Sequence, residues 1–130
     1  MNPTLSSVLA TADRLVEAFG SHDTEAYFAA FAPDASFIFH NLDRVLTSRD
    51  AYREEWALWE TRDGFRVKSC WSSERHVRLS GDTAIFTHTV ETTVEFNGEP
   101  ATSVERETIV FERSGDGNWL AIHEHLSKLP

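Results

Sequence analysis

The dipeptide Asn97-Gly98 lies between two long stretches, 84–96 and 102–113, in which apolar and polar residues alternate. Asparagine and glycine both tolerate the positive φ that a type I′ turn demands, so the pair marks a two-residue β-hairpin. That turn fixes the partner of every residue on both arms, because a strand cannot slip by one place without turning its apolar set to the other face. It sets His88 opposite Glu107, Phe86 opposite Ile109 and Thr89 opposite Arg106. A second turn, Ser114-Gly115-Asp116-Gly117, reads as a four-residue loop into a strand at 119–127, with Arg106 opposite His125 and Thr108 opposite His123. Side chains alternate across a strand. One face is therefore expected to carry Phe86, His88, Val90, Glu107, Ile109, Phe111, Leu120, Ile122 and Leu126. The other is expected to carry Thr87, Thr89, Glu91, Arg106, Thr108, Ala121, His123 and His125. The first is richer in large apolar groups and should be the concave, covered face.

The covering elements precede the strands. Leu5, Val8, Leu9, Ala12, Leu15, Val16 and Phe19 recur at helical spacing up to Gly20, which can end a helix. Asp23 can cap a shorter helix bearing Tyr27, Phe28 and Phe31, and Pro33-Asp34 is expected to turn the chain into a short strand at 36–40. Ser48 can cap a third helix, closed by Gly64, with Tyr52, Trp56 and Trp59 on one side. A long strand at 65–79 is expected next, with a bulge at Ser72-Ser73, then a turn at Gly81-Asp82. Three helices followed by an antiparallel sheet predict an α+β chain in one domain, 1–130.

Charge narrows the partners. Acidic residues outnumber basic ones 21 to 12, for a net charge of −9, and no basic cluster stands out. Nucleic acid and anionic membrane are therefore not expected as partners. The single cysteine, Cys70, cannot form an internal disulfide. With no secretion signal and no apolar run of membrane-spanning length, a cytoplasmic location is expected.

Three stretches carry a family resemblance. The close of the chain, Arg106-Glu107-Thr108-Ile109-Val110-Phe111, Asp116-Gly117-Asn118-Trp119 and His123-Glu124-His125-Leu126-Ser127, resembles the end of SnoaL-like and ketosteroid isomerase-like proteins of the nuclear transport factor 2-like superfamily. It is also similar to the association domain of calcium/calmodulin-dependent protein kinase II. Ser80-Gly81-Asp82-Thr83-Ala84 and the stretch 27–34 follow the same pattern. The resemblance implies a cone-shaped fold, three N-terminal helices on a curved, mainly antiparallel sheet, with a cavity between. It also implies a homodimer through the convex face, where Arg106, Thr108, His123 and His125 fall. The isomerases' aspartate base falls here at Phe39, and their donor tyrosine at Leu15 or Val16; only their donor acid has a counterpart, Glu107. The pocket arginines of the kinase domain fall at Val90, Ile109 and Leu126. Neither relative's ligand preference carries over.

His88 and Glu107 are the candidate site. An imidazole facing a carboxyl in an apolar cavity can shift its pKa and exchange protons with it. If the turn at Gly81-Asp82 is tight, Arg75 falls beside His88 and competes for Glu107. Phe39, Trp56, Trp59, Phe86, Val90, Ile109 and Ile122 are the expected apolar wall. His123-x-His125 has the spacing of two metal ligands but lacks the rest of a ligand set, so neither metal nor cofactor is expected. Three functions remain open: a binder of a small apolar or aromatic molecule with one polar group; a cofactor-independent isomerase, cyclase or dehydratase using His88 and Glu107; and an association module with a vestigial pocket.

Overall fold

The Asn97-Gly98 turn closes as its chemistry requires. In the computed structural model, which describes residues 3–130, Asn97 has φ 53° and Gly98 φ 84°, and Phe96 pairs with Glu99. The hairpin joins β3 (Thr83–Phe96) to β4 (Glu99–Arg113), with His88 opposite Glu107 and Phe86 opposite Ile109. The two residues before Pro3 lie outside the described part, and with them the start of the N-terminal stretch in which no secretion signal was expected.

Beyond Arg113 the register departs from expectation in two places. Arg113 pairs with Trp119, so the loop spans five residues rather than four. A bulge then leaves Ile122 unpaired in β5 (Trp119–Lys128), since Val110 faces His123 while Phe111 faces Ala121. Each shifts the register by one. Past the bulge the two shifts sum to an even number, so His123 and His125 keep their outward face while their partners become Val110 and Thr108. Before it only the loop counts, and the face inverts. Trp119 and Ala121 are buried, whereas Leu120 and Ile122 do not belong to the concave wall.

The helices form where capping and apolar spacing placed them. α1 (Pro3–Gly20) buries Val8, Ala12, Leu15 and Ala18. α2 (Thr24–Ala29) is capped by Asp23, whose carboxyl accepts from the Ala26 N–H. α3 (Arg49–Asp63) is capped by Ser48 and ends at Gly64, whose φ of 63° is the left-handed conformation glycine favours. Gly64 has a second reason to be glycine: a Cβ there would lie 2.2 Å from Asn97 Oδ1. The end of α3 is thus held against the hairpin tip.

β1 (Phe31–Phe39) begins before the expected turn, with Pro33 and Asp34 absorbed in a register break ahead of Ser36. It pairs in parallel with β5, and the sheet order is β1-β5-β4-β3-β2. In β2 (Phe65–Ser80) the bulge falls between Ser73 and His76, where Glu74 has φ 50°, slightly later than expected. Arg75 stays near enough to His88 for its charge to act there, but it does not compete for Glu107: it ion-pairs with Asp13 at 2.6 Å and stacks over Phe86. Tyr27, Phe28, Phe31, Phe37, Tyr52 and Trp56 interlock at mostly edge-on angles between helices and sheet. Each fully buried ring of this kind contributes about 1.5–3 kcal/mol through burial. No described helix is long and apolar enough to cross a membrane.

Candidate functional site

The space between helices and sheet divides into two halves. Toward the Gly81 end of the sheet it is packed solid: Ala84, Phe86, Ile109 and Phe111 are all fully buried. Toward the hairpin end the large rings stand apart and enclose a cavity of about 300 Å³. Its sheet wall comes from Val90, Thr92, Val94 and Phe96 of β3 and from Ala101, Thr102, Ser103, Glu105 and Glu107 of β4, its roof from Leu15, Val16 and Phe19 of α1 and from Tyr52, Trp56 and Trp59 of α3. Of the expected wall, Phe39, Trp56, Trp59 and Val90 line this cavity. Phe86 and Ile109 do not; they share the inner face but belong to the packed half. Ile122 does not either, because the β5 bulge turns it away.

His88 and Glu107 stand at the boundary between the halves. His88 Nε2 lies 2.7 Å from Glu107 Oε1, and its Nδ1 lies 2.6 Å from Ser72 Oγ. The imidazole is wholly buried and does not reach the cavity, whereas Glu107 lines it. His88 can therefore act only through Glu107. Burial, with the nearby Arg75 charge, holds the imidazole down at about 4. Burial, with Glu105 adding to it, pushes the Glu107 carboxyl up to about 8. At neutral pH the pair is thus a carboxylic acid and a neutral imidazole. Glu107 donates its proton to Nε2, and Nδ1–H donates to Ser72 Oγ.

A second acid lies in the same wall. Glu124 on β5 is almost fully buried and lines the cavity, one diagonal step from Glu107 across the β4–β5 pair. Tyr27 donates its hydroxyl to Glu124 Oε1 at 3.0 Å and sits 2.9 Å from the Tyr52 hydroxyl. Burial, reinforced by Glu107, pushes the Glu124 carboxyl well up, against the opposing effect of the Tyr27 bond. Both phenols are raised well above their ordinary value, by burial first and Glu124 second. Glu124 was not singled out from sequence, although a signal was present: the alternation that turns Leu126 inward turns Glu124 inward too.

The wall carries a third carboxyl, Glu105, held by the imidazole of His40 and by the Ser103 hydroxyl at 2.9 Å. Cys70 also lines the cavity, with burial raising its thiol to about 11, so it is no nucleophile at neutral pH. His123 donates to or accepts from Ser36 Oγ at 2.8 Å on the outer face, and no group of three or more metal-ligating side chains occurs among the described residues.

Helices over a bent mixed sheet, with one ring-walled cavity between them, define the class of α+β pocket folds that the closing sequence motif resembles. The family model for the SnoaL-like domain matches residues 8–130, and the chain belongs to that family. Among solved structures, it is similar to a ketosteroid isomerase-like protein from Erwinia carotovora atroseptica, with 22% identity and a TM-score of 0.82 over 100% of this chain and 99% of that one. It is similar to an NTF2-like protein from Cytophaga hutchinsonii, at 19% identity and a TM-score of 0.81 over 99% and 100% of the two chains. It is also similar to the CamKII hub homology domain of Chlamydomonas reinhardtii, at 23% identity and a TM-score of 0.75 over 100% of both chains. No curated protein sequence matches it. At these identities the likeness establishes the fold.

Proposed function

We propose that the chain binds a small apolar or aromatic molecule carrying one polar group, with that group at the Glu107–Glu124 end of the cavity. The observation that carries this reading is the division of the wall: rings and aliphatic chains nearly all round, and buried carboxyls gathered on β4 and β5. Pockets of about this volume suit compact ligands, and a few placed polar groups among apolar ones set orientation. A thermal-shift screen against a broad metabolite library tests it, since a ligand that binds only the folded chain must raise its melting temperature. A hit is expected to lose about 1–3 kcal/mol of binding when Glu107 is replaced by Gln. Hits indifferent to both Glu107→Gln and a cavity-filling Val90→Phe would overturn it.

One observation favours a second reading, a cofactor-independent isomerase, cyclase or dehydratase. The Ser72–His88–Glu107 chain of hydrogen bonds runs from the packed half to the cavity wall. In that reading Glu107 exchanges a proton with the ligand and His88 holds or returns it, as a positioning group behind the acid. The outer sheet face supports a homodimer as well. Arg106 and His125 are exposed there, Trp71 is 70% exposed and Val104 44% exposed, and a neighbour in fold is a hub homology domain. Light scattering at micromolar concentration is expected to give twice the chain mass.

A further inference from the structure

Besides His40, Cys70 and the phenols of Tyr27 and Tyr52, the ionisable side chains that line the cavity are three carboxyls: Glu105, Glu107 and Glu124. Among the described residues no lysine or arginine lines it. The hydrogen bonds within the protein engage most of the hydroxyl donors and leave carboxyl oxygens as acceptors. Glu107 gives its proton to His88 through Oε1, and its Oε2 has no protein partner among the described residues. Glu124 accepts from Tyr27, and Glu105 accepts from Ser103. Around these acceptors stand ring faces, chiefly Phe39, Tyr52, Trp56 and Trp59. Their negative π-clouds attract a cation and stabilise it when water is excluded.

We propose that the polar group taken by this cavity is an ammonium, so that its ligands are small aryl- or alkylamines bound as cations. This rests on the pocket reading above and narrows it to one chemical class. A ligand carboxylate would add an anion to a wall of carboxyls that holds, among the described residues, no lysine or arginine to pair it. A neutral carbonyl could take the Glu124 O–H, since the Glu107 proton is engaged with His88, but it would leave the ring faces and the other carboxyl oxygens unused. An ammonium brings donors to unused acceptors and a positive charge to Glu107 and Glu124, which burial first of all keeps neutral.

The proton balance follows from the groups facing Glu107: His88 on β3, Glu105 on its own strand, Glu124 on β5, Tyr27 on α2, Tyr52 on α3 and Cys70 on β2. None of these supplies a positive charge while His88 stays neutral. A cation at Glu107 Oε2 favours the carboxylate. At neutral pH the ammonium enters with its charge, the Glu107 O–H breaks and one proton leaves to solvent, while the imidazole changes tautomer: its proton passes from Nδ1 to Nε2, which then donates to Glu107 Oε1, and the Ser72 hydroxyl donates to Nδ1. The product is a buried ammonium–carboxylate pair with one proton released per ligand.

The test uses three matched probes, phenylpropylammonium, phenylpropanol and phenylpropanoate, followed through the fluorescence of Trp56 and Trp59. The ammonium is expected to bind at least about thirtyfold more tightly than the alcohol, with the carboxylate weakest. Calorimetry at pH 7 in phosphate and in Tris is expected to differ by the buffer's ionisation heat for about one proton released. Glu107→Gln and Glu124→Gln, each checked for an intact melting transition, are expected to shrink the ammonium-to-alcohol ratio about tenfold. Should one of them fail to fold, the other and the wild-type ratio still decide. An alcohol or carboxylate that binds as well as the ammonium overturns the amine assignment and leaves the pocket reading standing. If none of the three perturbs the fluorescence at millimolar concentration, both fall.

Discussion

Glu107 and Glu124 are the same residue type, in one cavity wall, a diagonal step apart, and both are held protonated above the usual carboxylate range by burial. Their partners differ. Glu107 meets an imidazole, which can take a proton and is backed by Ser72. Glu124 meets a phenol that donates to it and whose own ionisation is pushed far out of reach. One acid therefore has a path for its proton and the other does not. A carboxyl's role in a pocket is set by what stands behind it rather than by its own burial.

The largest effect should come from removing the imidazole. His88→Leu keeps the side chain's bulk but leaves Ser72 and a buried carboxyl without their bonds, which is expected to cost about 2–3 kcal/mol of stability by urea unfolding. An unchanged unfolding midpoint would mean that the two acids are equivalent after all.

The pH profile gives the next largest effect, and its sign follows from counting protons. Between about 4.5 and 6.5 the unfolded chain carries one proton for the pair, on histidine, and the folded chain also carries one, on Glu107. This pair then adds no slope. Above 6.5 the unfolded histidine releases its proton while folded Glu107 keeps its own until about 8. The folded state binds more protons there, so stability falls as pH rises, by about 2 kcal/mol over the interval at about 1.4 kcal/mol per pH unit. The raised Glu124 acts in the same direction. Glu107→Gln should flatten most of the decline, and a decline equally steep in that variant would assign it to Glu124.

The smallest effect isolates the phenol. Tyr27→Phe deletes the donor to Glu124 and the partner of Tyr52, and is expected to cost about 1–2 kcal/mol. It should leave the pH slope of the His88–Glu107 pair as it was. A change in that slope would show the two acids to be one coupled system.

The half of the site that follows from a tight turn was legible in the sequence. Asn97-Gly98 determined the His88–Glu107 pairing because a two-residue turn leaves no freedom in register. The half built on β5 was legible only in part. A glycine-rich loop can close at four or five residues with little change in chemistry, and a bulge has no residue signature as specific as Asn-Gly. Strict alternation therefore places Leu120 and Ile122 on the wrong face, and Glu124 enters the wall without a motif to mark it. Nor does periodicity report where packing stops and a cavity begins. Phe86 and Val90 share one face of β3, yet only Val90 lines open space.

The parallel pairing of β1 with β5 sets the order in which the chain can assemble. The β2–β3–β4 meander closes through two tight turns, whereas Ser36 must find His123 across most of the sequence. Closing so long a loop costs entropy before any contact repays it, so the local meander is expected to form ahead of that edge. Glu124 and its Tyr27 partner lie on the late side of this sequence of events, and the cavity does not exist until both arrive. A bound ligand would then act mainly as a brake on unfolding, with little influence on how fast the chain folds.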